Sequence, residues 1–75
     1  MRDLVEYLTK ALVDEPDAVN VEEVEDGRVT VYEVSVSDQD VGKIIGRQGK
    51  VIRAVRSVVK AGATRQGIRV DVDVL

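Results

Sequence analysis

Hydrophobic residues recur along the chain with two spacings, one near four residues and one of two residues. In residues 1–13, leucines stand at every fourth position, which is typical of one face of an α-helix. An acidic segment containing Pro16 follows, and the residue before a proline is disfavoured in helical conformation. The pattern therefore predicts an amphipathic helix over residues 1–13. Its apolar stripe consists of Leu4, Val5, Leu8, Ala11 and Leu12.

Two valine-rich segments separated by an Asp-Gly turn follow this helix. Residues 19–25 and 29–36 are typical of strands, and Asp26-Gly27 indicates a hairpin because glycine accepts the positive φ of tight turns. The second strand does not alternate cleanly, since its first two valines and its last two fall on opposite faces. These valines are Val29 and Val31, then Val34 and Val36. Two explanations stay open: both faces are partly covered, or a bulge lies near Glu33.

The second half of the chain is predicted to contain a short helix and a longer one. Ser37 is a good N-cap, and Asp40 three residues later completes a pattern similar to a capping box, which predicts a helix over residues 38–45. A second helix is predicted from Gly49 to about residue 62. One face of it is apolar and another is basic. The apolar residues are Val51, Ile52, Val55, Val58 and Val59, and the basic ones are Lys50, Arg53, Arg56 and Lys60.

The last segment, residues 68–75, alternates strictly between apolar and charged side chains, which predicts a strand with one buried face. Residues 63–67 are expected to form the loop before it. The hairpin makes the first two strands antiparallel, and a right-handed crossover places the last strand parallel to the second. The predicted fold is α+β in the order α-β-β-α-α-β, a three-stranded mixed sheet with helices packed on one face. The expected inward residues of the last strand are Ile68, Val70, Val72 and Val74.

The most distinctive stretch is residues 41–52, in which the tetrapeptide 46–49, Gly-Arg-Gln-Gly, stands between apolar residues. Two glycines three apart let the backbone turn sharply and remove the Cβ atoms that would keep a ligand away. Backbone amides at the start of the following helix, together with the helix dipole, favour an anion. Arg47 and Lys50 add positive charge beside them. The sequence therefore predicts a phosphate-binding loop.

Two well-known phosphate-binding motifs do not fit this stretch. A Walker A loop needs Gly-Lys-Ser/Thr, whereas Gly49-Lys50 is followed here by Val51, and Ile44 stands where that loop has its first glycine. A dinucleotide-binding fingerprint also needs glycine at position 44. What remains is an Ile-Gly-x-x-Gly-x-x-Ile pattern, formed by Ile45, Gly46, Gly49 and Ile52.

This pattern resembles the signature of the KH domain, whose Gly-x-x-Gly loop clamps about four nucleotides of single-stranded RNA or DNA by their backbone. The predicted element order matches the type II form of the domain, so the resemblance extends over residues 1–75 as one KH domain. The loop region is similar to that of the small bacterial KhpA-type RNA-binding proteins. The resemblance implies a non-catalytic protein that binds single-stranded RNA and possesses RNA-chaperone character. It also implies a homodimer and a heteromer with a Jag-type (KhpB) RNA-binding protein, with single-stranded DNA as a further possible ligand.

The candidate RNA-binding residues surround the loop. They are Lys43, Ile44, Ile45, Gly46, Arg47, Gln48, Gly49, Lys50, Ile52 and Arg53. Residues 46–49 are expected to hold the sugar-phosphate backbone with the charges of Arg47 and Lys50, and Lys43 and Arg53 extend a positive rim. The isoleucines supply either an apolar floor for bases or the packing beneath it. The basic helix face formed by Arg53, Arg56 and Lys60 fits an ordinary solvated surface at least as well as an RNA track.

Charge and composition narrow the function classes. The formal net charge is -3, but residues 1–40 carry twelve acids and three bases, whereas residues 41–75 carry eight bases and two acids. Such asymmetry is typical of a nucleic-acid face in the second half. The chain contains no cysteine and no histidine, which removes disulfides, cysteine-based metal sites and the commonest general base. No catalytic residue, cofactor or metal site is predicted.

Other functions are less well supported by the sequence. Tyr7 and Tyr32 are the only aromatic residues and are expected to pack, which weighs against the stacking platforms of RRM and OB-fold domains. An enzyme would need a carboxylate pair inside a fold too small to enclose a substrate. The remaining alternative is a KH fold used for protein interaction or dimerisation, with RNA binding secondary. No apolar run reaches membrane-spanning length, so the expected compartment is the cytoplasm, and the thin core favours a homodimer.

Overall fold

Helix α1 (Arg2–Leu12) packs against the sheet through a face centred on Val5 and Thr9 in the computed structural model, which describes residues 1–75. The hydroxyl of the buried Thr9 donates a hydrogen bond of 2.8 Å to the carbonyl oxygen of Val5, so its polar group is satisfied inside the core. Leu4 and Leu8 pack at the margin of the core. The predicted stripe is therefore wrong at its C-terminal end, where Ala11 and Leu12 are exposed.

Strands β1 (Asn20–Asp26) and β2 (Val29–Ser35) form the predicted antiparallel hairpin, and β3 (Arg69–Val74) pairs with β2 in parallel. The strand order is β1-β2-β3, which confirms the predicted mixed sheet and element order. Register between β1 and β2 is unbroken from Asn20 opposite Ser35 to Asp26 opposite Val29. The explanation by a bulge near Glu33 is therefore wrong.

The two faces of the sheet differ in burial, which accounts for the uneven valine pattern of β2. Val34 and Tyr32 are buried beneath the helices, whereas Val29 and Val31 lie on the opposite face and are half-buried. Tyr32 is 2% exposed, and burial, together with a hydrogen bond to Glu23, raises its pKa. Packing is confirmed for Tyr32 but is wrong for Tyr7, whose ring is on the surface.

Helices α2 (Val41–Ile45) and α3 (Lys50–Gln66) cover the same face of the sheet as α1. Helix α2 is shorter than predicted, because residues 38–40 form a separate 3₁₀ turn before it. On α3, the apolar face includes Ile52, Val55 and Val59 as predicted, but Val58 is 51% exposed. No helix of the structure has the length and the apolar composition needed to cross a membrane.

Helix α3 runs through the segment predicted as a loop, because Ala63 is buried in the core and extends the packed face by one turn. The helix ends at Gly67, which has a φ of 72° and donates to the carbonyl of Thr64 at 3.1 Å. The amide of Ile68 donates to the carbonyl of Ala63 at 3.0 Å, and the two bonds form a Schellman motif. Ile68 consequently lies outside β3 and is 43% exposed, so its predicted inward position is wrong.

Candidate nucleic-acid interface

The tetrapeptide 46–49 makes a tight turn between α2 and α3 through three residues with positive φ. Gly46 has φ 75° and ψ 172°, a region open essentially to glycine alone. A Cβ atom on Gly46 would lie 2.8 Å from the backbone nitrogen of Val51, so close packing also excludes a side chain there. Gln48 and Gly49 are both left-handed, at φ 57° and 74°. The sequence thus places glycine where the turn requires it.

Backbone hydrogen bonds hold this turn rigidly against both helices. The amide of Gly46 donates to the carbonyl of Gly42 at 2.8 Å and closes α2, and the amide of Gly49 donates to the carbonyl of Gly46 at 3.1 Å. The amide of Lys50 donates to the carbonyl of Arg47, and α3 begins at that point. The positive end of the dipole of a 17-residue helix therefore faces the turn, where it favours an anion.

Three cations close to the turn are exposed and form no ion pair within the chain: Arg47, Lys50 and Arg53. Lys43, which the sequence placed on the same rim, differs because its ammonium group contacts the carboxylate of Asp14. That hydrogen bond raises the pKa of Lys43, and the charge of Lys43 is paired with the segment that follows α1. The free positive charge is therefore concentrated on the loop and the start of α3.

The structure separates the three candidate isoleucines into two roles. Ile44 and Ile52 are 2% and 7% exposed and belong to the core beneath the turn. Ile45, directly before Gly46, is 38% exposed. Of the two possibilities left open by the sequence, core packing holds for Ile44 and Ile52, and only Ile45 offers apolar surface beside the loop.

The remainder of the basic face of α3 is engaged with β3. The Nε of Arg56 donates a 2.8 Å hydrogen bond to the carbonyl oxygen of Val72, and the guanidinium lies 3.5 Å from Asp71 and 3.7 Å from Asp73. The Nζ of Lys60 lies 4.0 Å from the same Asp71 carboxylate. Arg56 thus joins the helix to the free edge of the sheet, and Lys50 and Arg53 remain as the unpaired cations of the basic face of α3.

Asp40 is a structural residue whose role sequence reasoning missed. Its buried carboxylate accepts hydrogen bonds from the amides of Asp14 (3.2 Å) and Glu15 (3.0 Å) and from the hydroxyl of Ser37 (3.1 Å). Burial alone raises the pKa of Asp40, but these three donors hold it below its usual value. The predicted capping box is therefore replaced by a contact that ties the segment after α1 to the start of α2. The position of Asp40, directly before a short helix and three residues after Ser37, was the sequence pattern that could have indicated this structural role.

Together these residues form a surface that can hold an extended polyanion. The turn lacks Cβ atoms at two positions, the helix dipole and three cations attract negative charge, and Ile45 provides an apolar contact next to them. Ile44, Ile52 and Asp40 are buried beneath the turn, so the helices on either side of it are well packed. Ligand binding should therefore cost little conformational entropy in the turn.

Comparison with known protein families gives one match over nearly the whole chain. The family described as KhpA/KhpB, KH domain, matches residues 2–74. The RNA-binding protein KhpA of Halalkalibacterium halodurans is 49% identical over 75 residues, which cover all of this chain and 99% of the relative. The RNA-binding protein KhpA of Clostridium perfringens is 43% identical over 75 residues, and each chain is covered completely.

Two solved structures of Era share the fold at low sequence identity. One is Aquifex aeolicus Era bound to GDP and AlF4⁻, with a TM-score of 0.69 and 18% identity over 97% of this chain and 28% of that one. The other is Era in complex with MgGDPNP and nucleotides 1506–1542 of 16S ribosomal RNA, with a TM-score of 0.69 and 19% identity. It is matched over 99% of this chain and 30% of that one. The likeness concerns less than a third of Era and shows the fold alone.

Proposed function

The chain belongs to the KhpA/KhpB family of KH-domain proteins, and on that premise we propose that it is a non-catalytic protein that binds single-stranded RNA. The observation that carries the proposal is the turn at residues 46–49, where two glycines and three unpaired cations meet at the start of α3. Curated relatives that match the entire chain bear the name RNA-binding protein.

In the proposed mode of binding, the sugar-phosphate backbone lies across the turn. Gly46 and Gly49 let it approach the main chain, and the side chains of Arg47, Lys50 and Arg53 contact phosphate oxygens by charge-assisted hydrogen bonds. Gln48, exposed at the tip, offers an amide to the sugar or a phosphate. A base next to the clamped phosphates packs on Ile45, the exposed apolar side chain at this site. The buried Ile44 and Ile52 support the turn from below.

The proposal includes a homodimer formed away from the RNA-binding loop. On α3, an exposed stripe of small and apolar side chains is centred roughly 140° around the helix from Arg53 and Arg56: Ala54, Val58 and Ala61. Small side chains let two helices approach closely, and a second copy packing on the same stripe in antiparallel orientation gives a twofold interface. A KhpB-type protein, the other member in the family's name, is proposed to use the same stripe in a heteromer. The loop at residues 46–49 stays free in both assemblies.

RNA-chaperone activity in the cytoplasm is the cellular role that we propose. Such activity requires contacts to the RNA backbone that tolerate many sequences, and the unpaired cations at this site contact phosphates, which carry no sequence information. The competing function is a protein-interaction module in which RNA binding is secondary. No observation on the loop favours it, because the geometry there is that of an anion site.

The test is the double substitution Arg47→Asp with Gln48→Asp, measured by fluorescence anisotropy on a short single-stranded RNA. It places two negative charges where a phosphate is held and removes one cation. We expect a loss of about 2–3 kcal/mol of binding free energy, or roughly 30- to 150-fold in Kd. Both side chains are exposed, so the melting temperature should change little.

The chain offers a matched control in Arg65-Gln66, an exposed pair of the same two residue types at the other end of α3. Arg65→Asp with Gln66→Asp makes the same change in net charge and should keep most of the RNA affinity. Because Arg65 lies at the end of the stripe formed by Ala54, Val58 and Ala61, sedimentation of both variants checks that they have the same oligomeric state. Equal affinity of the loop variant and the parent would show that the turn is only a connection, and the interaction-module function would then be preferred. Equal losses in both variants would assign the effect to net charge instead of the loop.

A further inference from the structure

A second concave site lies at the far end of α3 from the glycine turn. It is a cavity of about 340 Å³ between the last turns of α3 and the start of β3. This volume lies at the lower end of the range of pockets that hold small ligands, roughly 300–1,000 Å³. Apolar side chains, two cations and one carboxylate share its lining, which includes Lys60, Ala63, Thr64, Ile68, Arg69 and Asp71. Ile68 is 43% exposed there because the Schellman motif places it outside the strand.

A stripe on α3 connects the glycine turn to this cavity. At about 100° per residue, positions 49, 53, 56, 60 and 64 fall within roughly 80° of one another on the helix surface. The stripe therefore starts at the second glycine of the turn, passes three cations and ends at Thr64 in the cavity wall. Its length is about 22 Å, at about 1.5 Å of rise per residue. A strand stacked at about 3.4 Å per nucleotide covers that distance with roughly six nucleotides.

The net charge along this path is positive in spite of two aspartates on β3. Asp71 and Asp73 pair with Arg56 and Lys60, whose charges offset them. Arg53 at the beginning of the path and Arg69 at its end are exposed and form no ion pair within the chain. A polyanion leaving the turn thus meets a free cation at each end of the path and neutralised charge between them.

We propose that this cavity is a second RNA contact, which takes a nucleotide lying beyond those held by the glycine turn. Its base rests on Ile68, the exposed apolar side chain of the lining, and Arg69 contacts the adjoining phosphate. The inference rests on the proposed function and extends it, because it predicts a longer binding site than a four-nucleotide clamp. A nucleotide fits this lining better than a peptide, because the unpaired charge of Arg69 adjoins the exposed apolar side chain of Ile68, while Lys60 offsets the carboxylate of Asp71.

The experiment measures affinity as a function of RNA length for the parent and two variants. Single-stranded RNAs of 4, 6, 8 and 10 nucleotides are titrated into the parent, Arg69→Gln and the control Arg65→Gln. Both variants lose one exposed arginine, but Arg65 lies on the opposite side of α3 from the stripe. On the 10-nucleotide RNA, Arg69→Gln should bind roughly three- to tenfold more weakly than Arg65→Gln, and the logarithmic salt slope should shrink by about 0.7. On the 4-nucleotide RNA, the two variants should bind equally.

Amide NMR shifts of the labelled parent give a second readout that needs no substitution. Residues 68–70 should shift with the 10-nucleotide RNA and not with the 4-nucleotide RNA, whereas residues 46–50 should shift with both. Equal affinities of the two variants at every length, with residues 68–70 unmoved, would overturn the second contact and leave the clamp intact. If the parent bound no RNA of any length, the proposed function itself would fail. Shifts at residues 68–70 with a basic or neutral peptide but not with RNA would assign the cavity to a protein ligand.

Discussion

Replacement of Gly46 by alanine should be the most damaging single methyl addition in this protein. At φ 75° and ψ 172°, a residue with a Cβ atom carries backbone strain of about 1–3 kcal/mol. The new Cβ would also lie 2.8 Å from the backbone nitrogen of Val51, which α3 holds in place, and overpacking of this kind costs about 1–3 kcal/mol. The expected loss in the free energy of unfolding is therefore about 2–6 kcal/mol. A 75-residue domain has a total of only about 4–11 kcal/mol.

Two neighbouring glycines provide internal controls with graded outcomes. Gly49→Ala keeps a left-handed φ of 74° but meets nothing closer than 4.0 Å, so strain alone should cost about 1–2 kcal/mol. Gly42→Ala lies inside α2 with no atom within 4 Å of the added Cβ and should stabilise the protein by about 0.5–1 kcal/mol. The three substitutions add the same methyl group, so only the backbone conformation and the surroundings differ.

Urea denaturation followed by circular dichroism, together with thermal melts, measures all three variants on one scale. For a domain of this size, about 1 kcal/mol corresponds to a change of roughly 4–8 °C in melting temperature. The expected order of stability is Gly42→Ala above the parent, the parent above Gly49→Ala, and Gly49→Ala above Gly46→Ala. A Gly46→Ala protein as stable as the parent, or a destabilised Gly42→Ala protein, would refute the turn geometry on which the RNA clamp is built.

Two further predictions concern Asp40 and the dimer. Because the folded-state pKa of Asp40 is lowered, its ionised form contributes stability above its unfolded pKa of about 3.9, and this contribution is lost as pH falls through the folded value. The stability difference between the parent and Asp40→Asn should therefore be constant near neutral pH and shrink below about pH 4, in urea titrations at successive pH values. A stability difference that does not change with pH would contradict the assignment of Asp40 as a buried, ionised hydrogen-bond acceptor. Sedimentation equilibrium at micromolar concentration should show the parent at about twice 8.2 kDa and Val58→Asp at the monomer mass, with the turn at residues 46–49 unchanged. A parent that stays monomeric at high concentration would remove the homodimer from the proposal.

Helix α3 carries both the proposed RNA-binding surface and the proposed dimer surface. Helix α3 presents a cationic stripe toward the glycine turn and β3, buried valines toward the sheet, and a stripe of small side chains on its remaining side. The cationic stripe and the stripe of small side chains lie roughly 130° apart around the helix axis, so the proposed RNA contact and the proposed dimer contact use different sides of α3. Since α3 provides both surfaces, a substitution on one stripe can be compared with a matched one on the other.

Local patterns in the sequence were sufficient to predict the main helices and strands, their order and the turn at residues 46–49. The leucine spacing, the Asp-Gly hairpin and the strict alternation after residue 68 each act over a few residues, and the mixed sheet follows from their order and the handedness of the crossover. The glycines of the turn were predictable for the same reason, because Gly46 and Gly49 satisfy backbone requirements of the chain immediately around them. Family membership, which the comparisons show, was already indicated by those positions.

Only the tertiary structure decided which of the candidate side chains remain free. Lys43, Arg56 and Arg53 are equivalent in the sequence, yet Lys43 contacts Asp14 across 29 positions and Arg56 contacts the carbonyl of Val72 across 16, while Arg53 is left unpaired. Likewise, Ile44 is buried and Ile45 exposed, although they are adjacent and identical. The physical reason is that the partner of a charge and the burial of a methyl group depend on segments distant in the chain, which local spacing does not describe. The sequence by itself determined where the turn proposed to hold a phosphate lies, and the fold determined which cations beside that turn remain unpaired.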